Sequence, residues 1–246
     1  TLSPSGANGV TTIVTGNCGV GIAPTRATEA DREYMIGMLA AIEDIPAETL
    51  REGVAWEVDG KPWESFPEYL DVLSNLSTVA DFACLVPHSC VRPYVLGPEK
   101  SAQCDIPGGP TNSPLTREEK EAIADCVGEA VAAGAIGFST NRLFAHRDVN
   151  GVLAAGTLAD AEELALIGKA VAEAGGTMFE IGNAAIGSNM HPDIPEWFLY
   201  DDVAPDPTQM DLEQARRHND MEWKCTSVPV GLYIQTARKL SESRTQ

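Results

Sequence analysis

Basic side chains are scarce in this sequence. Lys and Arg number 17 against 36 Asp and Glu over 246 residues, a formal net charge of −19. Such a chain gains nothing from counterion release on phosphates, which speaks against nucleic acid or an anionic membrane surface as a partner. Long apolar runs are lacking as well: no stretch reaches the ~18 residues of a membrane-spanning helix. The opening residues Thr1 to Gly6 have neither the charged nor the apolar part of a secretory leader. The six cysteines are scattered and form no C-x-x-C pair, so neither a disulfide-stapled scaffold nor a zinc knuckle is expected. Reduced thiols in a soluble, cytoplasmic protein are the expectation. The chain starts at Thr1 rather than at Met and stops at Gln246 in mid-pattern, as a piece of a longer protein would.

Apolar residues make up 43% of the chain, enough for a core, and its 22 Gly and 16 Pro demand many turns, the mixture of an α/β protein. Gly9 to Thr15 is a β-branched run halted by Gly16-Asn17-Cys18-Gly19, a strand entering a tight turn. Thr28 with Asp31 starts a helix carrying Met35, Leu39 and Ile42, and Ser65 with Glu68 starts another carrying Leu70 and Leu73. Val79 to Val86 reads as a strand closed by Pro87-His88-Ser89, followed by a long loop. Thr116 with Glu119 opens a helix through Val131, Ile136 to Thr140 is a strand, and a helix near Ala161 to Val171 leads to the strand Thr177 to Ile181. A polar helix near Gln209 to Met221 and a fifth strand, Thr226 to Ile234, complete the pattern.

Five nearly continuous apolar strands alternating with helices predict a parallel sheet covered by helices, about five units of a (β/α)8 TIM barrel, with a doubly wound open sheet as the competing topology. The whole of 1–246 is read as the central part of one barrel domain. Irregular excursions are expected near 44–65, 97–115 and 182–208.

In such a barrel the chemistry sits in the loops that follow the strands. Those positions hold Asn17 and Cys18, then His88 and Arg92, then Ser139, Asn141, Arg142 and His146, then Glu180 and Asn183. Thiolate, imidazole and carboxylate converging on one rim would suit zinc. On the residues alone, Cys18 remains open between a small buried residue and a metal ligand, and His88 between a loop anchor and an active group. The G-x-x-G-x-G run from Gly16 to Gly21 lacks the order of a dinucleotide fingerprint and the Lys of a P-loop. Ser139, in Gly-Phe-Ser-Thr, is no nucleophile elbow.

The phrases GVTTIVTGNCGVGIAP (from Gly9), ESFPEYLDVL (from Glu64), VPHSCVRPYVLG (from Val86) and AGAIGFSTNR (from Ala133) together resemble the N-acyl-D-amino-acid deacylases, or D-aminoacylases, of the metal-dependent amidohydrolase superfamily. The resemblance runs from about Gly9 to Glu180. It implies a (β/α)8 barrel and zinc-assisted hydrolysis of a small N-acyl-D-amino acid, with Cys18 as a metal ligand. His88, Arg92, Ser139 and Arg142 would meet the substrate, Arg92 by a bidentate pair with its carboxylate. The sequence also departs from the family. It has no H-x-H pair, Ile181 stands where one branch carries a ligand histidine, and the family's proton-shuttling Asp, carried on its last strand, is expected outside this chain. The chain fits best as part of a longer enzyme of a divergent branch. A non-catalytic binding domain and a cyclic-amide hydrolase are the alternatives. The second is disfavoured because a lysine, carboxylated in those relatives, would stand where GNCG places a thiol.

Overall fold

The computed structural model describes residues 3–58, 60–104, 115–143 and 146–183. A short helix, α1 (Ser3–Ala7), precedes β1 (Thr12–Thr15) and a single 3-10 turn at Asn17–Gly19. Then come α2 (Glu29–Glu43), α3 (Ala47–Gly53), β2 (Glu57–Val58), β3 (Lys61–Pro62) and α4 (Phe66–Ser74). The remainder is β4 (Asp81–Pro87), α5 (His88–Leu96), α6 (Pro98–Cys104), α7 (Arg117–Ala132), β5 (Gly137–Arg142), α8 (Ala161–Glu173) and β6 (Met178–Asn183).

The principal sheet has four strands in the order β1-β4-β5-β6, every pair parallel. Successive strands lie side by side, as around a (β/α)8 barrel. A doubly wound sheet reverses its order at a switch point, and no reversal occurs among these four strands. The fifth strand expected at 226–234 and the polar helix before it lie outside the described residues, as does the excursion expected at 182–208 after its first two residues, which are the end of β6.

Local sequence explains where the helices begin. The Thr28 hydroxyl accepts the Asp31 N–H at the head of α2. Ser65 with Glu68, and Thr116 with Glu119, form complete capping boxes on α4 and α7. Two readings change. The stretch 44–65 holds a two-turn helix and the antiparallel pair β2–β3. The chain after Pro87 turns directly into α5, although Pro93 sits inside it. The periodicity there is masked because α5 is buried along Cys90, Val91, Arg92 and Pro93 alike rather than on one stripe.

The helices cover one face of the sheet. Val86, Phe138 and Phe179 pack there against Ile123 and Val127 of α7 and Ile167 and Val171 of α8. Those last four are fully buried, each worth about 1.5–3 kcal/mol of transfer free energy. Lys120 ties the two helices further, donating to Asp160 Oδ2 at 2.5 Å and Glu162 Oε2 at 3.0 Å. Because side chains alternate along a strand, Met178, next to Phe179 on β6, and Val14, in register with Ala83 between Phe82 and Cys84, face the other way and stay 38% and 39% exposed. The sheet therefore has a helix-covered face and an open face, and the functional residues divide between them.

Candidate functional site

On the open face, the turn after β1 lies across the ends of its neighbours. Gly16 (φ +81) and Gly19 (φ +69) have left-handed backbones, and a Cβ would stand 2.3 Å from the Leu85 carbonyl oxygen at Gly16 and 2.8 Å from Thr140 Cα at Gly19. Only glycine fits such approaches, which is why the thiol is bracketed by glycines. Cys18 itself takes φ +55, ψ 22, a conformation that costs an ordinary residue about 1–2 kcal/mol. Three side chains hold it there. The Cys18 N–H donates to Glu180 Oε1 at 2.9 Å, Asn141 Nδ2 donates to the Cys18 carbonyl at 3.0 Å, and the Gly19 N–H donates to Ser139 Oγ at 3.0 Å. Ser139 Oγ in turn donates to the Gly16 carbonyl.

Ser139 pairs in register with Glu180 and Asn141 with Gly182, so all four positions belong to the open face. Gly182 gives the sulfur room, since a Cβ there would sit 3.2 Å from Cys18 Sγ. The thiol is only partly buried. Burial pushes its pKa up, and the Glu180 carboxylate, by charge and hydrogen bond, and the charge of Glu43 push it the same way. A neutral thiol among carboxylates is a poor nucleophile. The same negative field favours a cation, which would draw the thiol into its anionic, ligating form.

His88 and Arg92 lie on the other side of the sheet. His88 Nδ1 is 2.9 Å from Thr140 Oγ1, and Nε2 is 2.9 Å from Glu163 Oε1. Its ring stacks edge-on against Phe138, a member of the helix-covered core. Arg92 donates Nε to Glu163 Oε1 at 2.8 Å and Nη2 to Oε2 at 2.5 Å. The carboxylate that Arg92 holds in a bidentate pair is thus Glu163 of its own chain. All three residues are at most 2% exposed. Burial raises the Glu163 pKa, but the charge and hydrogen bonds of Arg92 and His88 outweigh it and hold the carboxyl well below the usual carboxylate range. Arg142, next along β5, donates to the carbonyls of Thr157 and Ala159 and pins the loop that leads into α8.

The expected single rim therefore separates. Cys18, Ser139, Asn141 and Glu180 come together on the open face, while His88 and Arg92 meet Glu163 behind the sheet. Glu163 had no functional signal in the sequence, because a glutamate three residues into a helix reads as an N-terminal cap. The cap of α8 is instead Asp160, whose side chain accepts the Glu163 N–H. Ile181, at the position where one branch of the resembling family has a ligand histidine, packs against the helix-covered core. The neighbouring Glu180 is the β6 side chain that reaches the thiol turn. His146 is half-buried near Glu43. Burial lowers its pKa, Glu43 opposes this in part, and its Nδ1 has no hydrogen-bond partner among the described residues.

Zinc sites use three or four protein ligands. Among the described residues no group of three or more His, Cys, Asp or Glu side chains could hold a metal ion. Cys18 and Glu180 supply at most two donors, so these residues alone do not complete a zinc site.

A curated D-aminoacylase from Alcaligenes xylosoxydans xylosoxydans is 32% identical over 143 residues, 58% of this chain and 23% of that protein. Over that stretch the chain is similar to the D-aminoacylases. Uncharacterised proteins of Mycobacterium bovis and Mycobacterium tuberculosis are 26% identical over 138 residues, 56% of this chain and 20% of theirs. The chain thus spans about a quarter or less of the length of the curated relatives it matches. No family model matches. A solved D-aminoacylase aligns at 24% identity with a TM-score of 0.43, covering 71% of this chain and 29% of that one. The N-acyl-D-glutamate deacylase of Bordetella bronchiseptica, solved with zinc and a phosphonate inhibitor, aligns at 23% with a TM-score of 0.43, covering 68% and 27%. The described residues have four parallel strands in sequence order with helices against one face, the arrangement of part of a (β/α)8 barrel. None of the described helices is long and apolar enough to cross a membrane.

Proposed function

We propose that this chain is the central part of the barrel domain of a metal-dependent amide hydrolase acting on N-acyl-D-amino acids or related N-acyl compounds. The observation that carries the reading is the position of Cys18. Its thiol is partly exposed where the first described barrel strand ends, on the open face, beside the carboxylate of Glu180. That is the end of the sheet on which barrel enzymes build their active sites. The similarity to the Alcaligenes D-aminoacylase supports it.

In this reading Cys18 ligates zinc, with Glu180 as a neighbouring donor and the remaining ligands supplied from outside the described residues. A bound zinc supplies Lewis acidity and a water of lowered pKa. Ser139 and Asn141 hold the cysteine turn in place. His88, Arg92 and Arg142 form the framework that fixes β4, β5 and α8, and the substrate meets other groups. Among the described residues Cys18, Cys84, Cys90 and Cys126 are free thiols, which supports a reducing, cytoplasmic setting.

The test is zinc content and hydrolysis of a panel of N-acyl-D-amino acids, measured on the longer protein that contains this chain and on its Cys18→Ser variant; residues 1–246 alone are expected to show no turnover. Stoichiometric zinc and turnover that both fall at least tenfold in the variant are expected. A protein that folds but carries neither, or a variant that keeps both, contradicts the reading.

A further inference from the structure

A half-open pocket of about 270 Å³ lies beneath the cysteine turn, outside the polar site. Its walls come from the turn at Gly16 and Ile22, from Leu39 of α2, from Val54 after α3, from Phe66 of α4 and from Leu85 of β4. Its polar side chains are few. The hydroxyl of Thr15 is already used, donating to Cys84 Sγ at 3.4 Å. The Cys84 thiol is kept neutral, its pKa raised mainly by burial. The Tyr69 phenol is pushed up to about 12, chiefly by burial.

Water enters a cavity when it finds two or more polar partners, and an engineered apolar cavity of about 150 Å³ stays dry and takes benzene or xenon. This pocket is larger and about half open to solvent rather than enclosed, and among the described residues no charged side chain lines it. A carboxylate or phosphate would lose its hydration there without a partner, whereas a hydrocarbon group loses nothing. The cavity also touches Gly16, two residues before Cys18 in the same turn. An apolar group seated in it would lie directly under the loop that presents the thiol.

We propose that this cavity is a binding site for a short hydrocarbon group, the size of a benzene ring or a short straight acyl chain. Naming the guest as the acyl group of a substrate rests on the proposed hydrolysis; the existence of the site does not.

The test separates the two. Benzene, hexanoate and acetate are titrated into the protein and followed by NMR chemical shifts of the methyl groups of Ile22, Leu39 and Val54, with no turnover required. Saturable shifts with benzene and hexanoate but not acetate are expected, weakened at least tenfold in Val54→Trp, which fills the space, and in Leu39→Phe, which fills it from the opposite wall should the first variant not fold. Benzene without hexanoate keeps the cavity as a hydrocarbon site and overturns its use by acyl chains. Absence of saturable binding, or equal binding in a folded filled variant, overturns the site itself. In a turnover assay, the filled variants would lose activity on hexanoyl substrates while keeping it on acetyl ones. Turnover with no such dependence on chain length removes the acyl assignment while leaving the hydrolase reading intact.

Discussion

Two polar clusters occupy opposite faces of the same strands, and they differ in how charge is balanced. Behind the sheet, His88, Arg92 and Glu163 are at most 2% exposed, and the arginine fork and the imidazole both go to one carboxylate. In front, Cys18 and Glu180 lie partly open to solvent, and the carboxylate meets the turn at the Cys18 N–H and at the neutral thiol, with no charged partner in either contact. The rear cluster is closed and electrostatically satisfied. Among the described residues the front cluster carries negative charge with no cation bonded to it, so the rear suits stability and the front suits ligand binding.

The comparison can be broken most directly from behind. Glu163→Gln removes the charge that binds both the buried Arg92 fork and the His88 imidazole, and about 3–5 kcal/mol of stability should disappear in urea melts. Glu180→Gln, by contrast, should cost less than about 1 kcal/mol at its more open position. Equal losses would erase the distinction. The pH dependence follows the same line. The Glu163 carboxyl is held far below its ordinary value of 4.5 in the fold, so its contribution is fully present above that value and declines as the pH falls toward the folded-state pKa. Wild-type stability should therefore fall steadily below about pH 5, and the fall should be shallower in Glu163→Gln.

Smaller effects sharpen the picture. A methyl group added at Gly156, where φ is +92, would sit 2.3 Å from His88 Nδ1. Gly156→Ala should lower stability by about 1–3 kcal/mol, with the loss visible in thermal unfolding. Ser139→Ala removes the acceptor of the Gly19 N–H and a donor to the Gly16 carbonyl. About 1–3 kcal/mol should be lost, together with faster amide hydrogen exchange in the turn. The smallest effect is electrostatic. Because Glu180 adds to the upward shift of the Cys18 thiol, Glu180→Gln should move the pH midpoint of iodoacetamide alkylation at Cys18 downward. A midpoint that stays put or rises would remove Glu180 from the thiol's surroundings.

The strands β1, β4, β5 and β6 were legible in the sequence because buried parallel strands are continuous apolar runs. The helices α2, α4 and α7 were legible because their caps are spelled in short polar pairs. α5 was not, since a helix buried on all sides loses its periodicity and its His-Ser opening resembles a loop. Cys18 stood out through its glycines, whose need is a close backbone approach that a reader can infer. The pairing of Arg92 with Glu163 could not be read, since 71 residues separate the partners. The face on which each side chain lies was hidden too, because a shift of one residue along a strand moves it through the sheet. That is why Ile181 and Glu180, adjacent in sequence, belong to different environments, and why a residue-by-residue resemblance overestimated how many polar groups share the mouth.

The central claim, that the front cluster and not the rear one binds a divalent metal through Cys18, is tested most directly by cobalt(II) titration. A thiolate-to-cobalt charge-transfer band should appear in the wild-type protein at stoichiometric metal and be absent from a folded Cys18→Ser variant. A band that survives the substitution, or that never forms in the wild type, would contradict it.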